Sequence, residues 1–148
     1  MKIEEIIQVA QTIKSSNIYD VLMEYNLNII YSEILNSKKF DATLSENFIL
    51  IKSDLTPEYE RFVLFHELGH YLLHHESGVR FSFYLSKYKN RIENEANVFS
   101  FLCLTKDIDL TNMNIIELST SLGIPEKIAT KIYEFLISKQ LNVLSNKK

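Results

Sequence analysis

The chain has 148 residues, 46% of them hydrophobic and 24% charged, with only three glycines and two prolines. That balance excludes a disordered or fibrous chain and suits a single folded domain, residues 1–148. Helix signals at Thr111 and Pro125 place a C-terminal helical segment at residues 112–141. Sixteen basic and nineteen acidic residues give a formal charge of -3, and the lysines form no arm or stripe, so direct nucleic-acid binding is not expected.

Along the chain, Ile3, Ile6, Ile7, Ala10 and Ile13 recur at helical spacing and predict an amphipathic helix over 3–14. A short helix is expected over 17–24, then a strand at 27–31 and, after a polar, turn-like stretch at 36–46, a second strand at 47–52. Thr56-Pro57 opens a helix of about five turns: threonine caps free N–H groups, proline loses no hydrogen bond at the first position, and Glu58 and Glu60 favour the positive end. Residues 76–89 read as a connection with strand character, and helical periodicity resumes over 90–104. Thr111 is expected to cap the next helix. Pro125 opens the last one, whose buried positions would include Ile128, Ile132, Phe135 and Leu136. Helices and a few strands without repeated strand–helix alternation make an α+β fold.

No apolar run approaches the ~18 residues of a membrane span, and the acidic start Met1-Lys2-Ile3-Glu4-Glu5 is not a secretory leader. Cys103 is the lone cysteine and is expected to be a buried, unreactive thiol. A cytoplasmic protein without membrane contact is expected.

The chemistry concentrates in His66-Glu67-Leu68-Gly69-His70. Positions four apart share one helix face, with β-carbons ~6 Å apart, so both imidazoles can address one tetrahedral zinc ion. Glu67 projects at the edge of that face and can act as the base for an attacking water. Gly69 costs up to ~1 kcal/mol in a helix interior, which is reasonable if another segment or the substrate approaches closely there. All four histidines, 66, 70, 74 and 75, lie on this stretch, so no remote histidine completes the site. His74 is ~12 Å from His66 by helix rise, too far to share the metal. It is either a group supporting a ligand or a polar residue favoured at a helix end, and His75 is expected to face solvent.

The third ligand is therefore expected to be a carboxylate from another helix. Glu93 shares a stripe with the small or polar Ala96, Asn97 and Ser100, which permit close helix approach. Glu95 shares one with Phe99 and Leu102, more like an edge of the packing face. This favours Glu93, with Asn97 available to hydrogen-bond a ligand histidine. Tyr71, Tyr84 and Tyr88 are open candidates for stabilising an oxyanion.

Phe65-His66-Glu67-Leu68-Gly69-His70-Tyr71-Leu72-Leu73-His74 together with Glu93-Asn94-Glu95-Ala96-Asn97-Val98-Phe99-Ser100 resembles the ImmA/IrrE family of metallopeptidases, over at least residues 27–104. The resemblance implies a cut-down zincin core, Zn²⁺ held by His66, His70 and Glu93, and Glu67 as the catalytic glutamate. It also implies a protein substrate, a DNA-binding repressor or other transcription regulator, often in the setting of a phage or other mobile element. Phe101-Leu102-Cys103-Leu104-Thr105 departs from the family pattern by lacking a proline after the second block, which affects that helix's exit and no metal ligand. Two readings stand: a zinc metallo-endopeptidase, and a non-hydrolytic, metal-stabilised regulatory or antitoxin-like interaction domain. The intact Glu67 favours the first.

Overall fold

The computed structural model describes the backbone of residues 1–74 and 86–146 and the side chains of residues 1–74 and 91–139. Helices α1 (Ile3–Gln11) and α2 (Ile18–Glu24) come first, then strands β1 (Asn28–Ser32), β2 (Ala42–Ser45) and β3 (Phe48–Lys52). A 3₁₀ turn, Ile34–Ser37, separates β1 from β2. Helices α3 (Pro57–His74), α4 (Ser86–Leu104), α5 (Ile115–Ser121) and α6 (Glu126–Asn146) follow. The α+β architecture is a three-stranded sheet flanked by helices, with a C-terminal helical segment.

The sheet order is β1-β3-β2, with β1 parallel and β2 antiparallel to β3. Ile49 and Ile51 alternate into the core from the central strand. β2 corrects the expectation that 36–46 is turn-like throughout. Ala42-Thr43-Leu44-Ser45 alternates apolar and polar residues and forms a tight hairpin with β3, Leu44 opposite Ile49 and Ser45 opposite Phe48, across a turn in which Glu46 takes a φ of 54°.

α3 begins as expected: Thr56 Oγ1 accepts a hydrogen bond from the Tyr59 N–H at 3.3 Å, and the Thr56 carbonyl accepts from the Glu60 N–H at 2.8 Å. Asn114, not Thr111, caps α5, its Oδ1 accepting from the Glu117 N–H at 3.0 Å. Thr111 instead turns back on Asp109, whose carboxylate accepts its N–H at 3.0 Å. Residues 86–89, expected as part of a connection, belong to α4, while 76–85 lie outside the described residues. Within α6, Ile132 and Leu136 are buried as expected, and Ile128 and Phe135 are half-buried.

α3 and α4 form the main helix pair. Phe62, Phe65 and Leu68 from α3 and Phe99 and Phe101 from α4 are buried, each removing apolar area worth roughly 1.5–3 kcal/mol from water. Ser100 Oγ donates to the Phe62 carbonyl at 2.7 Å, pinning α4 one turn before His66. Gly69 sits where the two helices are closest. A β-carbon there would lie 2.9 Å from Phe99 Cδ2, 3.3 Å from Phe99 Cγ and 3.4 Å from the Ala96 Cα. The close approach is thus made by another segment of the chain.

Replacing Gly69 with alanine should therefore destabilise the protein despite alanine's better helix propensity. Overpacking costs about 1–3 kcal/mol and the propensity gain returns up to ~1 kcal/mol. A net loss of about 1–2 kcal/mol lowers the melting midpoint by about 2–8 °C. In a Phe99→Leu background the same substitution should cost clearly less. Equal costs in both backgrounds would show that the Phe99 ring is not the obstacle.

Candidate metal centre

One side of α3 carries His66, Glu67 and His70 into a cleft of about 990 Å³. Phe40 to Thr43 border it on the sheet side, Glu93 and Asn97 of α4 lie beside the histidines, and Ile128 and Phe135 of α6 form part of the remaining wall. The His66 and His70 Nε2 atoms are 3.1 Å apart. Glu93 straddles them: Oε2 lies 2.9 Å from His66 Nε2, and Oε1 lies 2.9 Å from His70 Nε2. Glu67 Oε2 is 3.8 Å from His66 Nε2. Donor atoms of His66, Glu67 and His70 all fall within 4.8 Å of one another, a grouping that can hold a metal ion.

These distances pass a simple test of fit. Ligand atoms ~2.0–2.1 Å from one tetrahedral zinc ion are separated by about 3.3–3.4 Å, close to the spacings found. The donor set is two imidazole nitrogens and a carboxylate, all lone-pair donors turned toward one point. Only protons or a cation can satisfy such a convergence.

The local electrostatics say the same. Burial lowers the affinity of His66 for a proton, but the hydrogen bond and charge of Glu93 outweigh it and carry its pKa up to about 9. Burial dominates at His70 and brings its pKa down to about 4. Burial also opposes the charged form of Glu93, yet its hydrogen bonds to His66 and His70 hold it well below the usual carboxylate range. Burial pushes the Glu67 carboxyl up to about 7, partly offset by His66, so its proton affinity suits a group that takes up and releases protons near neutrality.

The other candidates separate clearly. Asn97 is buried in the α4 face close enough to His66 for its side chain to add to the raised proton affinity of that ring, as expected of a residue supporting a ligand histidine, although no hydrogen bond of ordinary geometry to His66 Nδ1 forms among the described residues. Tyr71 packs edge-on against Tyr25, with ring centroids 6.2 Å apart. Tyr84 and His75 lie outside the described residues, as does the side chain of Tyr88. The structure adds two groups to the neighbourhood. His74 is buried, with Nδ1 3.2 Å from His70 Nδ1 and Nε2 2.8 Å from Glu95 Oε1. Glu95, expected at an edge, is only 3% exposed, and its Oε2 lies 3.0 Å from the Met1 amine. Burial works against the charged form of Glu95, but the hydrogen bonds from His74 and that amine win and lower its pKa. The signal available in the sequence was its stripe with Phe99: an acid on a packing face needs a buried partner, and His74, one reading of which was a group supporting a ligand, was available to it.

A helix bearing His-Glu-x-x-His, packed on a second helix that delivers a carboxylate beside a small sheet, defines a metallopeptidase type of domain. The sequence profile of the family described as "IrrE N-terminal-like domain" matches residues 23–130, and the chain belongs to that family. "Uncharacterized immunity region protein 2" of Bacillus phage phi105 is 30% identical, the match covering 78% of this chain and 78% of the relative. Among the described residues, no helix is long and apolar enough to cross a membrane.

Cys103 stands apart from this centre, on α4 and 6% exposed, and burial pushes its thiol up to about 12. At pH 8 a thiol of that pKa is ionised to roughly one part in 10⁴, and the thiolate is the reactive form. Native protein should therefore resist a thiol reagent at pH 8 and react stoichiometrically once unfolded in denaturant. Rapid labelling of the native protein would contradict this burial.

Proposed function

We propose that this chain is a zinc-dependent endopeptidase of the cytoplasm that cleaves a DNA-binding repressor or other transcription regulator. The observation carrying the proposal is Glu67: a buried carboxyl placed beside a pair of candidate metal ligands and facing a cleft. A purely structural metal site has no use for a base in that position. The proposed ligands are His66 Nε2, His70 Nε2 and the Glu93 carboxylate. Bound there, zinc supplies Lewis acidity, making water a better nucleophile and a peptide carbonyl a better electrophile.

The chain's own residues supply the remaining parts. Glu67 takes the proton of the attacking water and later delivers it to the leaving amine, a role that its raised proton affinity supports. β2 lies at the sheet edge with Ala42 and Thr43 at the cleft. Its outer side, unpaired among the described residues, can hold an extended peptide through backbone hydrogen bonds and lay the scissile bond across the histidines. A cleft open to an extended segment suits an internal peptide bond in a protein substrate. The regulator assignment draws support from the family and from the phage relative, whose name refers to an immunity region.

Two measurements test this reading. Zinc analysis of purified protein should find one ion per chain, with His66→Ala and Glu93→Ala each losing most of it. Retention of stoichiometric zinc by both variants would overturn the ligand set. Zinc-loaded Glu67→Gln protein, matched to wild type in fold and metal content, should cleave a candidate repressor that the wild type cuts at least ~10²-fold more slowly. Undiminished cleavage by the variant removes Glu67 as the base. Tight binding of the regulator by the wild type without cleavage would favour the non-hydrolytic interaction domain.

A further inference from the structure

Behind the proposed ligands, a buried line of hydrogen-bonding groups runs away from the cleft, and the proposed reaction does not use it. His70 Nδ1 is 3.2 Å from His74 Nδ1, and His74 Nε2 is 2.8 Å from Glu95 Oε1. His70, His74 and Glu95 are 1%, 4% and 3% exposed, so bulk water cannot substitute for any link.

The chemistry of each link restricts the next. A carboxylate only accepts hydrogen bonds, so neutral His74 must carry its proton on Nε2 and donate it to Glu95. Its Nδ1 is then a bare acceptor. His70, facing that acceptor, must carry its own proton on Nδ1, which leaves the Nε2 lone pair turned toward the cleft. The opposite arrangement of neutral rings would set the bare Nε2 of His74 against the Glu95 carboxylate in a buried site.

We propose that Glu95 and His74 are positioning residues for metal binding: Glu95, acting through His74, holds His70 in the Nδ1–H tautomer that presents Nε2 to the ion. This rests on the reading of His70 as a metal ligand. The relay runs to His70; His66 has a different neighbour, Asn97, whose side chain adds to its proton affinity. It is a carboxylate–histidine support with a second imidazole inserted between the acid and the ligand.

The test uses the whole chain, zinc-loaded and ¹⁵N-labelled at histidine. Long-range ¹H–¹⁵N spectra should show His70 protonated at Nδ1, and His74 protonated at Nε2 with a bare Nδ1. Chelator competition should show zinc affinity reduced about 10–100-fold in Glu95→Gln and in His74→Phe. The double variant should be no weaker than His74→Phe alone, since Glu95 acts only through His74. A His70 ring protonated at Nε2 in the wild type overturns the proposal without recourse to any variant. So does wild-type zinc affinity in both single variants, even if they melt at lower temperature, because the relay would then be structural only. His66→Ala is the control: if it loses zinc while Glu95→Gln keeps it, the relay alone falls. If His66→Ala keeps tight zinc, the metal-centre reading fails and takes the relay with it.

Discussion

The close approach of α3 and α4 at Gly69 is the constraint on which the rest of the structure depends. With Phe99 and Ala96 lying where a β-carbon of residue 69 would point, the two helix backbones come near enough for short acidic side chains on one to reach imidazoles on the other. Glu93 spans only a few ångströms to His66 and His70, and Glu95 reaches His74 in the same way. A larger residue at position 69 moves α4 outward and lengthens every one of those contacts together. The glycine's cost in helix propensity, up to ~1 kcal/mol, is offset by the polar pairing it permits.

That pairing also explains why so many ionisable groups tolerate burial. An isolated carboxylate or imidazolium loses several kcal/mol on leaving water, yet Glu67, His70, His74 and Glu95 are all buried within this helix pair. Glu95 and His74 satisfy each other. The group of His66, His70 and Glu93 cannot do so by internal hydrogen bonds among neutral rings, because its facing atoms are mostly acceptors. Preorganised acceptors of this kind are unfavourable when empty of protons and cations, which is the physical ground for the proposed cation site.

Much of this was legible in the sequence, for identifiable reasons. The i,i+4 spacing of His66 and His70 is a local property of any helix, and Thr56-Pro57 marks where that helix starts. The small residues around Glu93 signalled a close helix contact, and the structure puts Glu93 there. What escaped had signals too short or too evenly matched to decide locally, or a partner distant in sequence. Ala42 to Ser45 alternates apolar and polar over four residues only, too short a run to stand out from the polar stretch around it, and its ladder with β3 completes the strand. Thr111 and Asn114 are both competent caps, and the choice between them lies in where the chain re-enters the α5–α6 packing. Glu95 was read as an edge residue because its partner, His74, lies 21 positions away on another helix.

Helical geometry accounts for how one helix pair makes two distinct polar clusters. With about 100° of rotation per residue, Glu93 and Glu95 fall on opposite shoulders of the line through Ala96, the residue facing Gly69. Asn97 and Ser100 accompany Glu93 on one shoulder, and Phe99 accompanies Glu95 on the other. On α3 the histidines advance about 40° with each step of four residues, so the row is not straight but winds across the contact. His66 and His70 therefore meet Glu93 on the cleft side, and His74 has turned far enough to meet Glu95 on the buried side. His70, in the middle of the row, touches both clusters through its two ring nitrogens, Nε2 toward Glu93 and Nδ1 toward His74. A straight row of histidines would have left Glu95 with the Met1 amine as its partner and no link to the cleft. The drift of the α-helix against a four-residue repeat is what connects the buried carboxylate to the cleft.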